Sequence, residues 1–206
     1  MSRARRRLIL LLPLMVCMTG LTGGCGLGLI TVPNPDYLMW KNFAPGSSVT
    51  FEGLQKAGKT ELSLRVTEKL LLKDKDKVRL ERTIEVLVGD KDDKKNKTFT
   101  ARREEPARID PWDHPLTQPF AWIKDLESQE ITIAGKTFLC KGRQLEANAK
   151  IEGFVDNKQD ILIRAWRHPD IPGRLVKVFF QTKTRDHTSE VAGQVVAYKV
   201  VREKDK

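Results

Sequence analysis

The chain has 206 residues, 40% of them hydrophobic and 31% charged, the proportions of a folded globular protein and not of a disordered or multiply spanning one. Its formal net charge of +10 includes Arg3, Arg5, Arg6 and Arg7, which stand together at the N-terminus without an acid, so the rest of the chain is only moderately basic. The lysines there alternate with acids, as in Lys73-Asp74-Lys75-Asp76-Lys77 and Lys91-Asp92-Asp93-Lys94-Lys95, a pattern of solvated turns and not of a nucleic-acid surface.

The N-terminal arginines are followed by an apolar run from Leu8 to Met18, then by small residues from Thr19 to Gly24, then by Cys25. That order of basic, apolar and small regions makes a secretory signal: the cations stay on the cytoplasmic side while the apolar stretch enters the bilayer. Leu21-Thr22-Gly23-Gly24-Cys25 resembles the lipobox of bacterial lipoproteins. The resemblance implies cleavage after Gly24, lipidation of Cys25 and a protein tethered to a membrane of the cell envelope. Cys17, with Leu14 three residues before it, ranks second. Ordinary signal-peptidase cleavage and an uncleaved spanning anchor reaching Ile30 stay open as alternatives. Each reading exports the domain, which argues against nucleic acid as a partner. The expected organisation is a signal over 1–24, a tether over 25–36, one domain over 37–202 and a disordered basic tail over 203–206.

Next, Asn34-Pro35-Asp36 reads as the cap of a short helix that brings Tyr37, Trp40 and Phe43 to one side before Pro45-Gly46. From Ser48 the period becomes two. Ser48 to Gln55 alternates around Val49 and Phe51, and Thr60 to Leu72 puts Leu62, Leu64, Val66, Leu70 and Leu72 on one face, with Leu71 the exception. Val78 to Val88 repeats the pattern, and Lys97 to Arg103 adds a short strand. Pro106 to Lys124 reads as a long ordered loop whose Trp112, Phe120, Trp122 and Ile123 fold back over the core. Further strands are expected at Glu130–Ile133, Phe138–Ala147, Asp160–Trp166, Arg174–Thr184 and Glu190–Val201. Ala57-Gly58-Lys59-Thr60 and Ala134-Gly135-Lys136-Thr137 each close a hairpin, with Gly supplying a positive φ. The predicted class is mainly β: a curved antiparallel sheet, a half or full barrel, with a short N-terminal helix and a long Pro-rich loop near its mouth.

Few residues offer chemistry. Gly53, Gly58, Lys59 and Thr60 match the spacing of a nucleotide phosphate-binding loop, but that loop needs a helix after it, and the residues after Thr60 alternate as a strand. The match is read as chance, and no nucleotide is expected. His114, His168 and His187 have no helical metal-ligand spacing; Asp110 and Asp113 near His114, and Asp170 near His168, are the closest approach to a site. Cys140, the one cysteine outside the leader, lies in an apolar-polar alternation and reads as a buried structural thiol. Trp166-Arg167-His168, and Phe179-Phe180 near Lys177 and Lys183, read as core and rim of a sheet and not as a stacking platform. No catalytic residue, metal or cofactor is expected.

Three segments, Trp40-Lys41-Asn42-Phe43-Ala44-Pro45-Gly46-Ser47-Ser48-Val49, Gly135-Lys136-Thr137-Phe138-Leu139-Cys140-Lys141 and Trp166-Arg167-His168-Pro169-Asp170-Ile171-Pro172-Gly173, resemble the ordered landmarks of a family of uncharacterised exported bacterial proteins. The layout is also similar, more distantly, to the half-barrels of periplasmic lipoprotein carriers, a likeness of fold that licenses no ligand. The function these readings imply is non-enzymatic: an envelope lipoprotein that scaffolds or binds partners at the membrane or wall. The alternative is a carrier of a lipid or other apolar ligand on a concave face formed by Leu64, Val66, Ile84, Val178 and Phe180.

Overall fold

The computed structural model describes residues 31–87, 97–110, 122–150, 158–184 and 187–202. The leader with Cys17 and Cys25, the loop with Trp112, Asp113, His114 and Phe120, and the tail 203–206 lie outside the described residues. No helix among those described is long and apolar enough to cross a membrane.

Alternation of apolar and polar residues from Ser48 onward produces a nine-stranded antiparallel sheet. Its strands are β2 (Ser48–Ala57), β3 (Thr60–Lys73), β4 (Lys77–Leu87), β5 (Lys97–Pro106), β7 (Trp122–Ile133), β8 (Lys136–Lys150), β9 (Lys158–Arg167), β10 (Leu175–Lys183) and β11 (Thr188–Lys199). The order across the sheet is β5-β4-β3-β2-β11-β10-β9-β8-β7. Two meanders are therefore joined where the last strand pairs with β2, and β5 and β7 form the two edges. A two-stranded ladder of β1 (Val32–Pro33) with β6 (Arg108–Ile109) and one helix, α1 (Pro35–Trp40), complete the described elements. The sheet curls without closing. β7 stands four strands from β11, about 19 Å along a flat sheet at the usual strand spacing, yet the two approach each other, and the rings of Phe138 and Tyr198 meet edge-on with centroids 5.8 Å apart.

The two A-G-K-T turns close hairpins one residue out of register with each other. Ala57 pairs with Thr60, and Gly58 alone has positive φ, +59°. In the second, Ile133 pairs with Lys136, and Ala134 and Gly135 are both positive, at +48° and +81°. The second is the pattern of a type I′ turn.

One face of the sheet is solvated and carries a ladder of exposed ion pairs, Arg65 with Glu52 and Glu85, Arg79 with Glu104, and Arg102 with Glu81. The other buries Val49, Leu70, Val78, Leu80 and Val195 at one end, under α1 and the loop before β10. The three landmark segments converge there. Trp40, Phe138 and Ile171 share one core, and the His168 ring packs edge-on against Phe138 at 4.9 Å. Ser47, fully buried, holds the last strand: its Oγ donates to the Val201 carbonyl at 3.2 Å and accepts from the Val201 N–H at 2.9 Å.

Several expectations are corrected. The helix stops at Trp40, and Phe43 reaches the core from the turn beyond it. A bulge between Leu70 and Leu72 turns Leu72 to the solvated face, 37% exposed, and leaves Leu71 half-buried. Trp122 and Ile123 begin a strand instead of ending a loop, and Ile123 is exposed. The ordered unit starts before residue 37: Val32 pairs with Ile109, and the buried Asn34 caps α1, its Oδ1 accepting from the Asp36 N–H at 2.9 Å.

Candidate functional site

Beyond the closed core the same face of the sheet continues as an open apolar groove. Cross-strand register sets its rows. One row runs Ile84, Val66, Phe51, Val195; the next runs Leu64, Gly53, Gly193, Val178; a third runs Gln55, Val191, Phe180, Ile163. The expected apolar face of Leu64, Val66, Ile84, Val178 and Phe180 is thus on one side of the sheet, and all but Ile84 line a cavity of about 220 Å³. Ile84 stands beside it, opposite Val66. Phe51, Ile163, Leu175 and Val191 line it as well. Phe51, Ile163 and Val191 were equally readable from the alternation, since each occupies the inward parity of its strand; Leu175 was not, because a bulge between Leu175 and Lys177 sets it off the parity of Val178 and Phe180.

At the middle of the floor Gly53 faces Gly193 across β2 and β11. A Cβ on Gly53 would come within 2.5 Å of the Ala192 carbonyl oxygen, so the close backbone approach excludes any side chain there. The pair leaves the centre of the groove bare.

A belt of charge separates groove from core. Glu68 and Arg82 are opposite one another at inward positions of β3 and β4, and Arg82 Nε donates to Glu68 Oε1 at 2.7 Å. Arg103 on β5 adds contacts to Glu68 at 3.3 Å, to Glu105 at 2.7 Å and to Asp36 of α1 at 3.5 Å. Asn34 Nδ2 donates to Glu105 Oε2 at 3.3 Å. Burial works against the charge of Arg103, but Glu68, Asp36 and Glu105 outweigh it and raise its pKa above the ordinary value.

On the β9 side of the groove the balance is different. Arg167 stands opposite the groove residue Leu175, and Arg143 opposite Ala165. Arg174 directly precedes Leu175 with φ at +55°. The Nε–H groups of Arg167 and Arg174 are both buried and find no acceptor among the described residues. Burial first, then the nearby cations Arg143 and Arg174, lower the pKa of Arg167, with Asp36 opposing them.

The other candidate residues do not converge. His168 Nδ1 accepts from the Asp170 N–H at 3.2 Å in a tight turn, and His187 lies in the turn after β10, its N–H donating to Thr184 Oγ1 at 3.1 Å. Asp110 is described, but Asp113 and His114 are not, and no metal-ligand cluster forms among the described residues. Cys140 is fully buried, its Sγ–H directed at the Phe138 carbonyl at 3.5 Å, and burial pushes its pKa up. Gly53 lies within β2, Gly58 and Lys59 make the turn, and Thr60 opens β3, so their amides belong to a hairpin and not to a phosphate cradle. Trp166 is mostly buried, its Nε1–H donating to the Glu127 carbonyl at 3.3 Å beneath the Lys177 ammonium. Phe180 faces the groove while Phe179 lies on the other face under Arg164. No protein-family model, curated protein or solved structure matches the chain.

Proposed function

We propose that this protein is a non-enzymatic binder of an apolar chain, held outside the cytoplasm by its N-terminal leader, and that the open groove is its ligand site. The observation that carries the reading is the continuity of one sheet face: the apolar side chains that form a closed core at one end run on into a groove that no other described residue fills. Exposed apolar surface of this kind marks a binding site in a folded domain. At about 220 Å³ the cavity falls below the roughly 300–1,000 Å³ of drug-sized ligand sites, a size suited to one hydrocarbon chain and not to a whole lipid. The bare centre at Gly53 and Gly193 favours the same occupant, because a scaffold needs no trough in its core face. A leader lipidated at Cys25 would keep the groove beside a membrane, where acyl chains are the abundant apolar ligand.

Titration with the neutral fluorophore N-phenylnaphthylamine tests this. The protein should bind it with a blue-shifted rise in emission, and Val178→Asp, which sets a carboxylate in the groove, should weaken binding by at least about tenfold. Gln194→Asp on the solvated face should leave binding unchanged, with both folds checked by circular dichroism. No binding by the parent protein, or equal binding by Val178→Asp, would remove the groove as the site.

A further inference from the structure

Two cations at the edge of the groove have no counterpart in the charge belt. Glu68, Glu105 and Asp36 engage Arg103, and Glu68 also engages Arg82; Arg143 has Asp125 at 3.1 Å. The side chains of Arg167 and Arg174 have no hydrogen-bond or ion-pair partner among the described residues, although the Nε of each is shut off from solvent. A buried donor without an acceptor costs free energy, and more so when it is charged. Here two such groups stand close enough to repel one another. An arrangement of this kind is stable to the extent that an anion completes it, and the guanidinium fork matches a carboxylate or phosphate oxygen pair.

Their position gives the anion an address. Arg167 shares a cross-strand pair with Leu175, which lines the groove, and Arg174 adjoins Leu175 in sequence. The opposite arm of the groove ends in the neutralised pair Arg82–Glu68, so the cations without a carboxylate in contact are confined to one corner, where Asp36 acts on Arg167 only at a distance. We propose that Arg167 and Arg174 form an anion-binding end of the apolar groove, so that the ligand is an acyl chain carrying a carboxylate or phosphate head. The inference rests on the reading of the groove as an apolar-chain site and adds its polar end.

The test compares cis-parinaric acid with its uncharged methyl ester on the full-length protein, beside the double variant Arg167→Gln/Arg174→Gln. The acid should bind at least about tenfold tighter than the ester. In the double variant that preference should vanish while ester affinity stays the same, and the ligand-free variant should unfold no more easily than the parent because a repulsion has been removed. Millimolar inorganic phosphate that displaces the acid but not the ester would show that the corner also takes a free anion; acid that resists phosphate would assign the anion to the lipid head alone. Equal affinity for acid and ester overturns the anion-binding end and leaves the groove standing. Failure of both probes to bind overturns the groove and, with it, this extension.

Discussion

The indole of Trp40 rests on the backbone of Gly173: a Cβ added there would lie 3.1 Å from Cζ2 of the ring. The contact joins the segment after the leader to the loop before β10, two stretches more than 130 residues apart in the chain. It packs the closed core that adjoins the groove, and Gly173 also holds a φ of +70°. Gly173→Ala should therefore lose about 2–4 kcal/mol from strain and overpacking together. Gly135→Ala, at φ +81° but in open space, should lose only about 1–2 kcal/mol. Urea unfolding of the two variants checks the difference, which isolates the packing against Trp40.

Ala134 adopts a φ of +48° in the β7–β8 turn, a conformation that costs an L-residue with a side chain. Ala134→Gly should stabilise the protein by about 0.5–1 kcal/mol, since relief of that strain exceeds the added freedom of the unfolded chain. A rise in the thermal midpoint would register it; a fall would mean that the turn is not the I′ form described.

Glu68 holds Arg82 and Arg103 at once, with its side chain 12% exposed. Glu68→Gln should cost about 2–4 kcal/mol, because it takes the carboxylate from Arg82 and one of three from Arg103 in a place with little water. Replacing Arg82 by Met in the same chain should recover part of the loss, and a double-mutant cycle by denaturant unfolding would give the coupling.

Burial raises the pKa of Cys140 in the folded state. The folded protein therefore keeps a proton that the unfolded chain gives up near the ordinary thiol pKa. Stability from this group is fully present below that pKa, and it declines as pH rises from about 8.5 toward the folded value. Cys140→Ala should flatten that decline while costing some packing. In the parent, alkylation followed by peptide mapping should find Cys140 labelled only after unfolding.

The period-two alternation made most strands and the apolar face legible, because parity alone assigns Leu64, Val66, Ile84, Val178 and Phe180 to one side. It failed where the backbone breaks parity. The bulge between Leu70 and Leu72, and the one between Leu126 and Gln129 that hid the first half of β7, each shift alternation by a residue. The charge belt left a signal that was open to reading: Glu68 and Arg82 interrupt the inward apolar positions of neighbouring strands at a matching register. Arg167 and Arg174 left none, since their lack of partners depends on how the sheet curls and on where the loop before β10 lies.

The groove itself is tested most directly by methyl NMR of the labelled protein with a spin-labelled, uncharged acyl chain. The methyls of Leu64, Val66, Val178 and Val191 should broaden, while those of Leu70, Leu80 and Val176 in the closed core should stay sharp. Broadening spread over the solvated face, or none at saturating ligand, would contradict the assignment of this groove as the binding site.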